Sequence, residues 1–235
     1  LQEAAKHCEC ALNIRLKKLG PEHAEVASSY HNLGYVQCQL GDLQKSKECY
    51  EQALAIRQKT LGCDHIDMAN TYHHLGVVEC QLGDLQQARK CHQQALDIRL
   101  KNLGPEHVDM ANSYHYLGNV LFAMNDMQQA KELHERALDI QLKNLEPDHL
   151  YVAFSLHNLG EVQRELGNLV EAKENYERAL KIRLEKLGTR HGDVQSTLHE
   201  LCNVRRALRD LQHGGESHEG TIEKDHEQRK RCVIS

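Results

Sequence analysis

The sequence of 235 residues contains no tryptophan, two phenylalanines and eight tyrosines, so it has little aromatic bulk for one large globular core. Only three prolines interrupt it, which favours helices. No apolar run reaches the length of a membrane span, so we expect no transmembrane helix. Acidic residues outnumber basic ones, 34 to 29, and no basic stripe follows the chain. Nucleic acid is therefore not an expected partner.

The nine cysteines are odd in number and do not read as a disulfide framework. Cys38 and Cys80 lie one repeat period apart, which predicts reduced thiols in the cytosol. Cys8 and Cys10 do not have a zinc-ligand spacing, and no second pair follows at ligand distance. The sequence predicts no metal site and no cofactor.

A period of 42 residues, without insertions, dominates the sequence. Two series of histidines recur at this period, as does a Leu-Gly pair in the first four repeats. The first series is His23, His65, His107, His149 and His191, and the second is His31, His73, His115, His157 and His199. Such a fixed period predicts a stack of identical structural units.

Each period carries the signals of two helices. Pro21 suits a helix start, and Gly41 followed by Asp42 supplies a C-terminal glycine and an N-cap for the next helix. Gly34 lies inside the first helix, where we expect it to face a small residue of the second, Ser46. Phase counting then predicts a truncated second helix at 1–18, full repeats at 19–60, 61–102, 103–144 and 145–186, and a capping helix at 187–211. We expect residues 212–235 to form a disordered tail.

An aromatic-Leu-Gly pattern followed by Ala, aromatic and Ala resembles the tetratricopeptide repeat. The residues at these places are Tyr30, Leu33, Gly34, Ser46, Tyr50 and Ala53. The 42-residue length and the Leu-Gly-Pro-Glu-His loops at 19–23 and 103–107 are similar to kinesin light chain and nephrocystin repeats. The resemblance covers residues 1–211. It implies an all-α, right-handed superhelical solenoid of tandem antiparallel helix hairpins.

No enzyme chemistry is expected from these residues. The glycines are periodic and form no phosphate loop, and every prominent histidine occurs in several repeats, whereas a catalytic group needs one unique environment. We predict no catalytic residue.

The resemblance implies a concave groove, lined by the first helices, that binds a peptide or helical segment of a partner protein. The predicted contact residues are Ser28, His31, Asn32, Tyr35, Asn70, His73, His74, Asn112, His115, Asn119, His157, Asn158 and Arg164. Phe154, Glu161 and Glu165 share this register. Asn32 and Asn158 match the asparagine with which family members hold a peptide backbone, since an amide both donates and accepts.

The predicted groove is neutral and lined by histidine. It lacks the cationic clamp that would hold a chaperone C-terminus, and the cations that acidic cargo peptides need. The histidines also make pH-sensitive binding a hypothesis. The expected function is a non-catalytic adaptor in the cytoplasm, and a self-assembling repeat spacer is the structural alternative.

A second alternative comes from the last four residues, which read Cys-Val-Ile-Ser from Cys232 onward and match a prenylation box whose terminal serine favours farnesyl. Three basic residues at 229–231 precede it and supply a second membrane signal. The sequence thus also allows a prenyl-anchored, membrane-associated adaptor. Prenylation of Cys232 is the only route to a membrane that the sequence offers.

Overall fold

In the computed structural model, which describes residues 1–212, the chain forms ten α-helices and, within those residues, no strand. The helices are α1 (Gln2–Leu19), α2 (Ala24–Gln39), α3 (Leu43–Leu61), α4 (Ile66–Leu82), α5 (Leu85–Leu103), α6 (Val108–Ala123), α7 (Met127–Asn144), α8 (Leu150–Glu165), α9 (Leu169–Leu187) and α10 (Gly192–Gln212). The predicted all-α class of tandem helix hairpins is confirmed. Gln212, placed in the tail by the sequence pattern, ends α10, and Cys232 lies outside the described residues.

The even-numbered helices, termed first helices here, begin at positions 24, 66, 108, 150 and 192, which are one 42-residue period apart. The histidine immediately before each of them is an N-cap. The Nδ1 atom of His23 accepts a hydrogen bond from the Glu25 backbone N–H at 3.2 Å, and the other four caps repeat this bond. One of the two histidine series therefore starts helices.

The connection from first to second helix also repeats. Gly41, Gly83 and Gly167 have positive φ angles, and Asn125 takes the same left-handed conformation with φ 67°. The side chains of Asp42, Asp84 and Asp126 then accept a backbone N–H three residues on. The predicted left-handed turn is thus present in all four hairpins, and the side-chain N-cap in three, since Asn168 makes no cap bond.

The chain divides into two compact units, the first covering Leu1–Pro105 and the second beginning at Glu106. Unit 1 contains α1 to α5, and its core includes Val26, Ala27 and Leu33 of α2. Unit 2 contains α6 to α10, and its core includes Val152 and Leu156 of α8. In each unit a first helix packs against the second helices on both sides of it in sequence.

In each hairpin a glycine of the first helix faces an aromatic ring of the second helix. A Cβ placed on Gly34 would lie 3.0 Å from the Tyr50 ring, and one on Gly160 would lie 2.9 Å from the Tyr176 ring. The expected small residue is also in contact, since the Ser46 hydroxyl donates to the Gly34 carbonyl oxygen at 2.7 Å. The ring, more than the small residue, makes glycine necessary.

Buried arginines join one hairpin to the next. Arg57 of α3 donates to the Asp67 carbonyl oxygen at 2.9 Å and also to the Thr71 hydroxyl of α4. Arg183 of α9 repeats the arrangement on α10, with 3.2 Å to the Asp193 carbonyl oxygen and 2.5 Å to the Thr197 hydroxyl. These bonds tie a second helix to the first turns of the following first helix.

Candidate functional site

The predicted contact residues lie on the first helices, on a surface termed here the first-helix face. In unit 1 this face is formed by α2 and α4, and in unit 2 by α6, α8 and α10. Successive first helices within a unit contact one another, so each unit presents a continuous row of first-helix side chains.

In unit 1 the exposed candidates are Asn32, Tyr35 and Asn70. Ser28 is half-buried and donates its hydroxyl to the Ala24 carbonyl oxygen at 3.3 Å, a bond within its own helix. The two asparagine amides and the phenol ring are therefore the groups of this unit that a ligand meets first.

The three histidine candidates of unit 1 are half-buried and pack among rings. The centroid of the His74 ring lies 5.2 Å from those of His31 and His73, and it stacks on Tyr50 at 5.8 Å with 9° between the planes. Tyr35 contacts the same ring from the exposed side at 6.0 Å. These half-buried rings pack beneath the exposed side chains of the face.

The electrostatics of these histidines follow from their burial. Burial, with a smaller contribution from the nearby Arg57 guanidinium, lowers the pKa of His31 to about 4. Burial and Arg99 also lower the pKa of His74. The His31 ring makes a hydrogen bond of 3.3 Å with the Thr71 hydroxyl. His31 thus stays neutral at mildly acidic pH, and this histidine does not make the groove pH-sensitive there.

In unit 2 the candidates are more deeply placed. Asn112 is exposed and Asn119 half-buried, whereas His115, His157 and Asn158 are buried. The Asn158 amide donates to the Asn119 carbonyl oxygen at 3.2 Å and lies 3.4 Å from His115 Nδ1. Asn32 and Asn158 therefore differ, since one is open to a ligand and the other bonds the neighbouring helix.

Arg164 is half-buried among carboxylates at the C-terminal end of α8. Its guanidinium lies 2.9 Å from Glu165 and 3.6 Å from Glu200 of α10. Glu161 lies 3.6 Å from His157 Nε2. Burial alone would raise the pKa of Glu161, but His157 and Arg164 outweigh it and hold that pKa below its usual value. This end of the face is charged.

Sequence reasoning missed Tyr151, which is exposed on the first turn of α8 and lies close to Tyr116 of α6. Glu25, Asp67 and Asp109 stand at the same phase of the earlier repeats. The replacement of three acidic residues by an aromatic one was the signal that could have identified it.

Within residues 1–212 the free cysteines Cys10, Cys63 and Cys202 are exposed, and Cys49, Cys80 and Cys91 are buried. No cluster of three or more metal-ligating side chains is found within residues 1–212. Burial raises the pKa of the Cys49 thiol to about 11 and of Cys80 and Cys91 to about 12. None of the ten helices has both the length and the apolar character of a membrane span.

Comparison with known proteins shows which family has this arrangement of helices. The family model of the tetratricopeptide repeat matches residues 1–59, 25–101, 67–143 and 109–185. A structure from Podosopora anserina, described as "putative kinesin light chain nearly identical TPR-like repeats", is 27% identical, covers 90% of this chain and 96% of its own, and gives a TM-score of 0.69. BtubC from P. vanneervenii has the same fold at 19% identity, with 99% and 87% covered and a TM-score of 0.72. No curated protein matches the chain in sequence.

Proposed function

The chain belongs to the tetratricopeptide repeat family, and from that premise we propose that it is a non-catalytic cytoplasmic adaptor. Its first-helix face binds an extended or helical segment of a partner protein. In repeat proteins of this kind each repeat contacts only its neighbours, so the stack has an extended surface. Such proteins use that surface for binding. The similarity to an array described as kinesin light chain repeats supports a repeat scaffold of this kind.

One observation carries the proposal: amide and phenol groups are exposed in a row on α2 and α4, and of these the Asn70 side-chain oxygen also accepts a hydrogen bond from Arg99 of α5 at 3.1 Å. Asn32 and Tyr35 lie one turn apart on α2, and Asn70 lies on the adjacent first helix. Asparagine side chains both donate to and accept from a peptide backbone, so they suit an extended segment of varied sequence.

Affinity capture from a lysate of the native source tests this function. Asn32→Ala with Asn70→Ala removes two exposed amides of the face, and we expect the captured partners to be lost or strongly reduced. Gln52→Ala with Gln94→Ala removes two exposed amides of the second helices and is the matched control. Equal capture by both variants would move the binding site away from the first helices of unit 1.

A prenyl-anchored adaptor is the second candidate, and the ending at Cys232 favours it. Intact mass after expression in eukaryotic cells is the measurement. The anchor is supported if wild type carries a farnesyl adduct and is found in the membrane fraction, and if Cys232→Ser loses both. An unmodified mass rules it out.

The structural alternative is a spacer that assembles with further copies of itself. Sedimentation over a wide concentration range separates it from an adaptor. The adaptor keeps one mass at all concentrations, whereas mass that rises with concentration indicates the spacer.

A further inference from the structure

Three exposed aromatic side chains form a patch on the first-helix face of unit 2. Tyr116 of α6 is 37% exposed, and Tyr151 and Phe154 of α8 are 55% and 44% exposed. The buried His115 ring lies beneath them, 4.5 Å from the Phe154 ring and 5.3 Å from the Tyr116 ring. Because α6 and α8 contact one another, the patch spans two adjacent repeats.

The repeats themselves show that folding does not require this patch. Ser28, Asn70 and Asn112 occupy the phase of Phe154 in the other full repeats, and the same first helix forms around each of them. Large apolar groups at a site where the fold accepts small polar ones are typical of a surface that binds a partner.

The charged end of the face lies next to the patch. Glu161 and Glu165 of α8 and Glu200 of α10 surround one cation, Arg164, so three negative charges and one positive charge leave a net charge of −2. The corresponding positions of unit 1 hold uncharged residues, namely Tyr35, Gln39, Asn32 and Cys38 in the first full repeat. On this face of unit 2, carboxylates of α8 and α10 therefore lie next to exposed aromatic rings.

We propose that the aromatic patch and the adjacent carboxylates bind a basic, extended segment of a partner protein. A bulky apolar side chain of that segment packs on Phe154 and Tyr116, and a lysine or arginine approaches Glu161 and Glu165. Complementary charge favours this partner, whereas an acidic segment would be repelled. The inference rests on the proposed adaptor function and assigns a ligand to the first-helix face of unit 2.

Helix geometry sets the spacing within the ligand. Phe154 and Glu161 are seven residues apart on α8, which corresponds to about 10.5 Å along the helix axis. An extended peptide advances about 3.3 Å per residue, so its apolar anchor and its cation are about three residues apart.

Selection of random peptides displayed on phage against the full chain tests the preference. We expect enriched peptides to share a bulky apolar residue and a lysine or arginine about three positions away. Binding of a selected peptide, followed by fluorescence anisotropy, should weaken at least about tenfold in Phe154→Asn with Tyr116→Asn. These asparagines copy Asn112 and Asn32 at the same phases, so the variant is expected to fold.

A charge variant completes the test. Glu161→Gln with Glu165→Gln should weaken binding and its dependence on salt, whereas Glu171→Gln with Glu174→Gln, on the exposed surface of α9, should change neither. Enrichment of acidic peptides, or equal affinity of the Phe154 and Tyr116 variant, overturns the inference. If the selected peptides instead lose affinity in Asn32→Ala with Asn70→Ala, the adaptor function is supported and the unit 2 site is ruled out. If no peptide is enriched, both fall.

Discussion

One position of the second helix, which faces the glycine of the first helix, determines how the stability of a repeat depends on pH. Tyr50 and Tyr176 fill it in the first and last full repeats, and His92 and His134 fill it between them, each facing the glycine of its hairpin. Burial lowers the pKa of His92 and of His134 to about 4. An unfolded histidine titrates near about 6.5.

Acid is therefore expected to destabilise the fold through these two residues. Their contribution is fully present above pH about 6.5 and is lost as the pH falls toward 4, because the unfolded chain then binds more protons. At pH 5 the loss is about 2 kcal/mol for each histidine. Urea unfolding of wild type and of His92→Tyr with His134→Tyr, at pH 7 and pH 5, measures it. A variant as acid-sensitive as wild type would contradict this explanation.

The helix glycines give a second prediction at the residue scale. Alanine usually stabilises a helix by about 1 kcal/mol relative to glycine. Gly160→Ala should instead destabilise the protein, because the new methyl group would lie 2.9 Å from the buried Tyr176 ring. Gly192→Ala is the control, since nothing lies within 4 Å of its Cβ position, and it should be neutral or stabilising. Thermal unfolding of both variants is the measurement. A higher unfolding temperature for Gly160→Ala would refute the packing argument.

At the scale of helices, the joints between hairpins are not equal. Between α7 and α8, Gln141 replaces the clamping arginine and Ser155 replaces the threonine. The side-chain amide oxygen of Gln141 and the Ser155 hydroxyl are buried without a hydrogen-bond partner. The joint from α9 to α10 keeps both bonds of Arg183. Unit 2 therefore contains one complete and one incomplete joint.

This difference predicts opposite effects of exchanging the two residue types. Arg183→Gln should destabilise by about 1–3 kcal/mol, because it leaves buried acceptors unpaired. Gln141→Arg with Ser155→Thr, which copies Arg183 and Thr197, should stabilise. Urea midpoints measure both. Equal midpoints for the two variants would show that the arginine bonds do not hold the joints.

The periodic part of the fold followed directly from the sequence, whereas cross-helix bonds did not. Gly41 and Asp42 marked the turn because positive φ and capping are local properties. The burial of Asn158 depends on Asn119, a residue 39 positions away, so the sequence pattern left it beside the exposed Asn32. The exposed or buried state of a repeat position is set by its neighbours in the adjacent helices.

At the scale of the whole molecule, one backbone period carries two different surfaces. Unit 1 presents uncharged amides and a phenol, and unit 2 presents aromatic rings beside carboxylates. The repeated core residues hold the hairpins, while the positions that vary between repeats give the two faces different chemistry. The central claim is that the first helices, and not the second helices, contact the partner.

Site-specific photo-crosslinking tests this claim most directly. A photoreactive amino acid replaces Asn70 of α4 in one protein and Gln94 of α5 in another, both exposed positions of unit 1. In cells of the native source, the adaptor account predicts a crosslinked partner at position 70 and none at position 94. Crosslinks at position 94 without crosslinks at position 70 would contradict it.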